Sequence, residues 1–379
     1  MIRRLWLALA VAIGLAIPPA VAQSVPEAKC TAKGQIPDDE RISGCSTLLE
    51  SNKYGTTGSL TGLFIRAKTS FRKKLFDAAI ADYTEIIQRF PKNEFAYLER
   101  GVTYYNKGEF QRAIDDYDHV IELNPRFERA YYDRGAANLR KGDFDQSIAD
   151  YNQAIALKPN DAYAYVYRSA VYRAKGELDQ AMADCAQAMK IAPENKFSYF
   201  CRAITYKAMG DVAHAIADYD HVIELDAKDA SAYRFRGTIY FLSGAFVKAL
   251  ADFDQSIQLA PEQAYAALWR DLAARRASQP STLKEGMSRL DMTKWPAPLV
   301  RLLIGEISAE EMFSGAADAN AAIKKGQICE ANFYTAELAL QRSEKDEAAR
   351  LLRLAVDECP KSFVEYSSAK AELRALENP

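Results

Sequence analysis

The chain has 379 residues, of which 49% are apolar or aromatic, and carries Lys+Arg 49 against Asp+Glu 51 for a formal net charge of −2. A mixed, slightly acidic surface has no electrostatic footprint for nucleic acid or for an anionic membrane. Low-complexity tracts are absent, so the chain reads as folded throughout.

At the start, Arg3 and Arg4 precede an apolar run from Leu5 to Ile17, followed by Pro18-Pro19-Ala20-Val21-Ala22. A charged head, a hydrophobic core and a small-x-small site predict a secretory signal peptide over residues 1–22, cleaved near Ala22. The arginine pair lacks the motif of a twin-arginine signal, so the ordinary export route is expected. The run is too short to span a bilayer, and no later stretch is long or apolar enough. Cys30 follows Glu27-Ala28-Lys29, unlike the small-residue box that precedes a lipidated cysteine. The expectation is a soluble periplasmic protein that is not a lipoprotein.

Residues 23–59 hold Gly34, Pro37, Gly44, Gly55 and Gly58 and read as a lead-in with a short helix around Cys45 to Ser51. The chain has six cysteines, an even number, as expected where disulfides persist. Cys30 and Cys45, fifteen apart, are expected to tie this lead-in together.

From Leu60 to Gln263 one thirty-four-residue pattern runs six times, over 60–93, 94–127, 128–161, 162–195, 196–229 and 230–263. Position eight is small: Ala67, Gly101, Gly135, Ser169, Ala203, Gly237. Position twenty is small as well: Ala79, Ala113, Ser147, Ala181, Ala215, Ala249. Position twenty-four is a ring or its substitute: Tyr83, Tyr117, Tyr151, Cys185, Tyr219, Phe253. Glycine falls between them at Gly108, Gly142, Gly176, Gly210 and Gly244, with Lys74 the exception. Proline closes each unit at Pro91, Pro125, Pro159, Pro193 and Pro261, with Ala227 the exception. Small and apolar residues at three and four spacing give a helix with one buried face. The glycine accepts the left-handed conformation that ends a first helix, and the proline ends the second.

This pattern resembles the tetratricopeptide repeat (TPR), a helix–turn–helix unit of that period. The resemblance implies an all-α fold, a right-handed superhelical solenoid with an atypical C-terminal helical extension. A stack of repeats needs no single core, which suits a length about twice that of a typical domain.

Two further regularities sit inside the frame. Position seven is arginine in all six units (Arg66, Arg100, Arg134, Arg168, Arg202, Arg236) and position twenty-three is aspartate (Asp82, Asp116, Asp150, Asp184, Asp218, Asp252). In an antiparallel hairpin these positions face each other, which predicts six ion pairs bridging the helices. Either the pairs fix helix register, as the planar arginine fork suits, or they form an anion-binding ladder. Cys185 and Cys201 lie symmetrically about Pro193 and can face each other. Cys329 and Cys359 lie at the open end of a C-terminal hairpin. Structural disulfides are the expectation. A redox pair or metal site is the alternative, but no Cys-x-x-Cys occurs and His119, His214 and His221 are not clustered.

Residues 264–328 look helical but leave the frame. Tyr265 to Arg276 begins a seventh first helix, Ser278-Gln279-Pro280 interrupts it, and Ser308-Ala309-Glu310-Glu311 is a capping box. Residues 329–379 regain the rhythm with Ala336, Ala348, Leu352, Ala355 and Pro360. Leu303-Ile304-Gly305-Glu306-Ile307-Ser308, Cys329-Glu330-Ala331-Asn332-Phe333-Tyr334, Leu354-Ala355-Val356 and Phe363-Val364-Glu365-Tyr366 ahead of Ala371-Glu372-Leu373 are similar to NlpI-type periplasmic TPR proteins. That family implies a non-enzymatic adaptor that recruits peptidoglycan hydrolases and an envelope protease through a groove, and that can dimerise. Its members are lipoproteins, and this chain reads otherwise.

In TPR arrays the first helices line the concave face through positions two, five, six, nine and twelve. Here these hold Phe64, Phe71, Phe95, Tyr105, Tyr132, Tyr163, Tyr167, Phe197, Phe200, Phe235 and Phe241. Aromatic anchors of this kind are enriched at interface hot spots, although each could instead stack between units as core. The run from Tyr132 to Phe235 is the candidate groove, with Arg140, Arg173, Lys207 and Arg234 set to meet acidic side chains or a client's C-terminal carboxylate. The lysine/asparagine set of chaperone-tail-binding TPR domains is not reproduced.

No phosphate loop, His-x-x-Glu metal pair or Gly-x-Ser-x-Gly elbow occurs, so no catalytic residue, cofactor or metal is expected. The sequence reading is a periplasmic scaffold that binds proteins or peptides of the cell envelope in its groove. A self-associating subunit of a permanent complex and a glycan-strand binder are the alternatives.

Overall fold

The computed structural model describes residues 26–32, 34–51, 55–318, 321–360 and 363–377. The leader expected over residues 1–22 lies outside the described residues. Among the described residues the regular structure is entirely helical, in tandem antiparallel pairs. Contacts divide the chain after Pro159 into two compact units.

The first unit opens with helices Pro26–Thr31 and Asp38–Glu50, joined by a disulfide between the fully buried Cys30 and Cys45. The helix expected near Cys45 is the end of this longer one. Its first turn carries Asp38, Asp39 and Glu40, where negative charge meets the positive end of the helix dipole. Three hairpins follow: Gly55–Arg72 with Phe76–Arg89, Glu94–Lys107 with Phe110–Leu123, and Glu128–Lys141 with Phe144–Leu157. Lys74 stands where the other units have glycine and still takes the left-handed backbone, at φ 59° against 86° for Gly108. A side chain there costs conformational energy but leaves the turn intact.

Positions eight and twenty-four are coupled more tightly than helix approach alone requires. A methyl group built on Gly101 would lie 2.7 Å from Cε1 of Tyr117, and one on Gly237 would lie 2.9 Å from Cε1 of Phe253. The ring of the second helix lies across the first helix, so the residue beneath it is small. Tyr83, Tyr117 and Tyr151 are buried this way.

The second unit continues with Ala162–Lys175 and Leu178–Ile191, Lys196–Met209 and Val212–Leu225, and Ala230–Leu242 and Phe246–Leu259. Repeat four has no ring at position twenty-four. Cys185 occupies it and is bonded to Cys201 of the next first helix. Ala264–Arg276 then begins a further pair: Ser278 takes the usual left-handed turn at φ 55°, but only the four-residue helix Leu283–Gly286 follows in place of a full second helix. Short helices Leu283–Gly286, Ala297–Leu303 and Ala309–Gly315 follow, the last opened by the Ser308/Glu311 capping box. The chain ends in helices Ala321–Gln341, Lys345–Glu358 and Val364–Glu377. The first of these starts eight residues ahead of Cys329, and the Cys329–Cys359 bond staples it to its partner.

This C-terminal part has the largest core. Trp269 is fully buried against Phe241, with ring centroids 5.2 Å apart, and against Phe333 at 5.6 Å. Burying each such ring contributes roughly 2–3 kcal/mol, which holds these irregular helices without a repeat to template them.

Candidate protein-binding face

Each arginine at position seven grips its aspartate with two parallel hydrogen bonds. Arg100 donates from Nε to Oδ2 of Asp116 at 2.9 Å and from Nη2 to Oδ1 at 2.7 Å. The closest ion-pair distances are 2.7 Å for Arg66–Asp82 and 2.6 Å for Arg134–Asp150, Arg168–Asp184, Arg202–Asp218 and Arg236–Asp252. From repeat two onward the guanidinium also lies over a tyrosine of its own helix, as Arg236 does over Tyr233 and Tyr240. Burial raises the pKa of Asp116 above the ordinary carboxylate value, while Arg100 opposes the shift. A third prong, which the sequence reading missed, reaches back one repeat: Arg100 Nη1 to Thr84 Oγ1, Arg134 Nη1 to Asp118 and Arg236 Nη1 to Asp220. Position twenty-five of the preceding unit supplies the acceptor each time, so a period-long offset was the available signal. These arginines are occupied by the fold itself.

The expected groove aromatics separate into two sets. In the first unit, Tyr132 is partly buried edge-on to Tyr151, with centroids 5.6 Å apart. In the second unit, Phe200 and Phe235 both pack on the buried ring of Tyr219, at 5.6 and 6.1 Å. Phe241 is core. Tyr163, Tyr167 and Phe197 are different: they are 43%, 41% and 44% exposed, and Tyr163 meets Phe197 at 5.7 Å across the two first helices. Those helices, Ala162–Lys175 and Lys196–Met209, lie side by side.

Beside these rings runs a short cationic stripe. Arg173 and Lys207 hold position twelve of repeats four and five, and Arg234 lies seven positions earlier in repeat six, two turns along the same helical face. Arg173 donates to Ser169 Oγ at 3.0 Å and Thr205 Oγ1 at 3.3 Å, and burial pushes its pKa down to about 10. Burial also lowers that of Lys207, with Arg234 adding repulsion. Arg234 lies over the Phe235 ring at 4.3 Å. Arg140, in the first unit, is exposed over Phe110.

The C-terminal helices bury carboxyl groups that the sequence reading left unassigned, of which Glu365 faces the stripe. Glu330, Glu337 and Glu365 are 6%, 2% and 3% exposed. Glu330 accepts from Trp295 Nε1 at 2.7 Å and from the Tyr265 hydroxyl at 2.9 Å. Glu365 leads the terminal helix and lies within electrostatic reach of Lys207 and Arg234, yet its Oε1 has no hydrogen-bond partner. The signal was present: Glu330 and Glu337 share a helix face with the buried Phe333 and Tyr334. Among the described residues no group of acidic, histidine or cysteine side chains is placed to hold a metal. No helix there is long and apolar enough to cross a membrane.

The tetratricopeptide repeat family model matches residues 98–162, 132–196, 202–264 and 309–363, together more than half of the chain. The chain belongs to the tetratricopeptide repeat family. The last TPR match begins at 309, ahead of the rhythm that resumes at Cys329. No curated protein matches the chain. Among solved structures, a tetratricopeptide repeat protein from Parabacteroides merdae ATCC 43184 is 19% identical, covering 62% of this chain and 92% of its own at a TM-score of 0.55. MamA is 26% identical over 46% of this chain and 96% of its own, at 0.40. YrrB, described as a TPR protein with an unusual peptide-binding site, is 20% identical over 48% of this chain and 95% of its own, at 0.36. The first of these shows the same TPR fold.

Proposed function

We propose that this TPR protein is a non-enzymatic scaffold that recruits protein partners on the face formed by the first helices of repeats four and five. The observation that carries this reading is the exposed trio Tyr163, Tyr167 and Phe197 beside the partly buried cations Arg173 and Lys207. Large rings held out of the core supply contact area at little entropic cost, and adjacent cations orient an acidic partner. Three disulfides and the leader read from the sequence favour the periplasm as the site of action. The C-terminal resemblance to NlpI-type adaptors favours cell-envelope enzymes, peptidoglycan hydrolases or proteases, as clients.

The test is a crosslinked pull-down from periplasm using the mature chain and a Tyr163→Ala/Tyr167→Ala/Phe197→Ala variant shown to be equally helical. Loss of partners in the variant is the expected result. Identical partner lists would clear this face of recruitment.

A further inference from the structure

The terminal helix Val364–Glu377 packs mainly on Lys345–Glu358 and also meets the long helix Ala321–Gln341 and the first helix of repeat six. Its inner face is Glu365, Ser368 and Ala369, all buried, and Glu372 anchors it to Arg276 at 2.9 Å. The first turn therefore delivers a carboxylate toward the cationic stripe, where a partner's acidic side chain would go. Among the described residues neither Lys207 nor Arg234 has a hydrogen-bonded carboxylate, and Glu365 Oε1 is buried without a partner. Three ionisable groups thus face one another without closing a contact. A permanent structural pair does otherwise: Arg202 and Arg236, in the same helices as Lys207 and Arg234, close theirs at 2.6 Å.

We propose that Val364–Glu377 is an exchangeable internal occupant of the Lys207/Arg234 end of the recruiting face, and that its natural competitor is an amphipathic client helix bearing one carboxyl group on its apolar side. This rests on the recruiting role proposed above and specifies its regulation. The client chemistry is read from the occupant: an acidic residue at the start of a helix whose small and apolar residues follow at three and four spacing. The groups facing Glu365 are Lys207 from repeat five, Arg234 from repeat six, Tyr265 from the following helix, and Glu330 and Tyr334 from the long helix. Burial, and then the neighbouring Glu330, raise the pKa of Glu365 to about 8, and burial raises that of Glu330 to about 7. A carboxyl raised in the docked state binds its proton more tightly there than when released. Docking is therefore fully favoured below about pH 4.5 and is lost as pH rises toward 8, by about tenfold per pH unit for one proton.

Hydrogen exchange of the full mature chain, corrected for intrinsic rates, reads this directly. Between pH 6 and 8.5 the amides of residues 366–377 are expected to lose protection at least tenfold while the repeat helices hold theirs. Glu365→Gln, a neutral isostere, is expected to keep them protected at pH 8.5. A dye-labelled peptide of residues 363–377 carrying Glu365→Gln, whose own docking needs no proton at that position, is expected to bind the full chain at pH 8.5 and not at pH 6. Unchanged protection across pH, equal behaviour of Glu365→Gln, or peptide binding that does not rise with pH would each overturn the proposal. The readouts separate the two readings. If client capture depends on Tyr163, Tyr167 and Phe197 but the terminal helix never loosens, only the exchange is wrong. A helix that loosens while client capture ignores those rings leaves the exchange standing and removes the recruiting role.

Discussion

The arginine at position seven joins three neighbours at once. In Arg100 and Arg236 the fork closes on an aspartate of the second helix, the plane rests on tyrosines of the same helix, and the remaining nitrogen reaches the preceding repeat. The sequence made the Arg–Asp register legible because both residues recur at one offset in every unit. The third contact was hidden because its acceptor varies between Thr84, Asp118 and Asp220. That variation has an energetic consequence. Arg100 is 17% exposed and makes all three contacts, whereas Arg202 is 31% exposed and position twenty-five before it is Ala186, which offers no side-chain acceptor. Asp116→Ala should cost about 3–5 kcal/mol by stranding a buried cation, and Asp218→Ala about 1–3 kcal/mol. Urea melts of the two variants decide the order, and equal losses would contradict the account.

Among elements, repeat four shows what a missing ring requires. Ser169 and Cys185 replace the small residue and the aromatic, and Cys185 spends its place on a covalent tie to the first helix of repeat five. Removing the bond should therefore loosen this joint more than truncating a peripheral contact would. Cys185→Ala/Cys201→Ala is expected to lose about 3 kcal/mol, the value for a loop of this size. Amide exchange should rise first in Leu178–Ile191 and Lys196–Met209, and a uniform loss across all repeats would refute the local role. The hairpins of residues 60–263 were legible because helical period and repeat period agree. The C-terminal helices were legible only as helices. Their packing depends on Glu330, Glu337 and Glu365 facing inward, against the usual sorting of charge to the surface. For the face itself, spacing placed the aromatics on one side of each first helix. Which rings stay exposed depends on neighbours such as Tyr219, and a single repeat does not reveal that.

For the whole molecule, buried acids set the pH response. Burial raises Asp133 to about 6, Glu337 to about 7 and Glu365 to about 8. All three bind protons more tightly folded than unfolded, so their contribution is complete below about pH 4 and fades as pH climbs through these values. The thermal midpoint of the mature chain should accordingly be higher at pH 5.5 than at pH 8.5, and Glu337→Gln should flatten the difference. A midpoint that rises with pH over this range would show that exposed, salt-bridged carboxylates dominate instead. The three disulfides enclose sequence separations of 15, 16 and 30 residues, one near each end of the described chain and one midway. Pulled from its ends, the oxidised protein would withhold roughly 200 Å of contour at about 3.4 Å per residue. It would act as a tether of limited stretch, surrendering that slack only when its cystines are reduced.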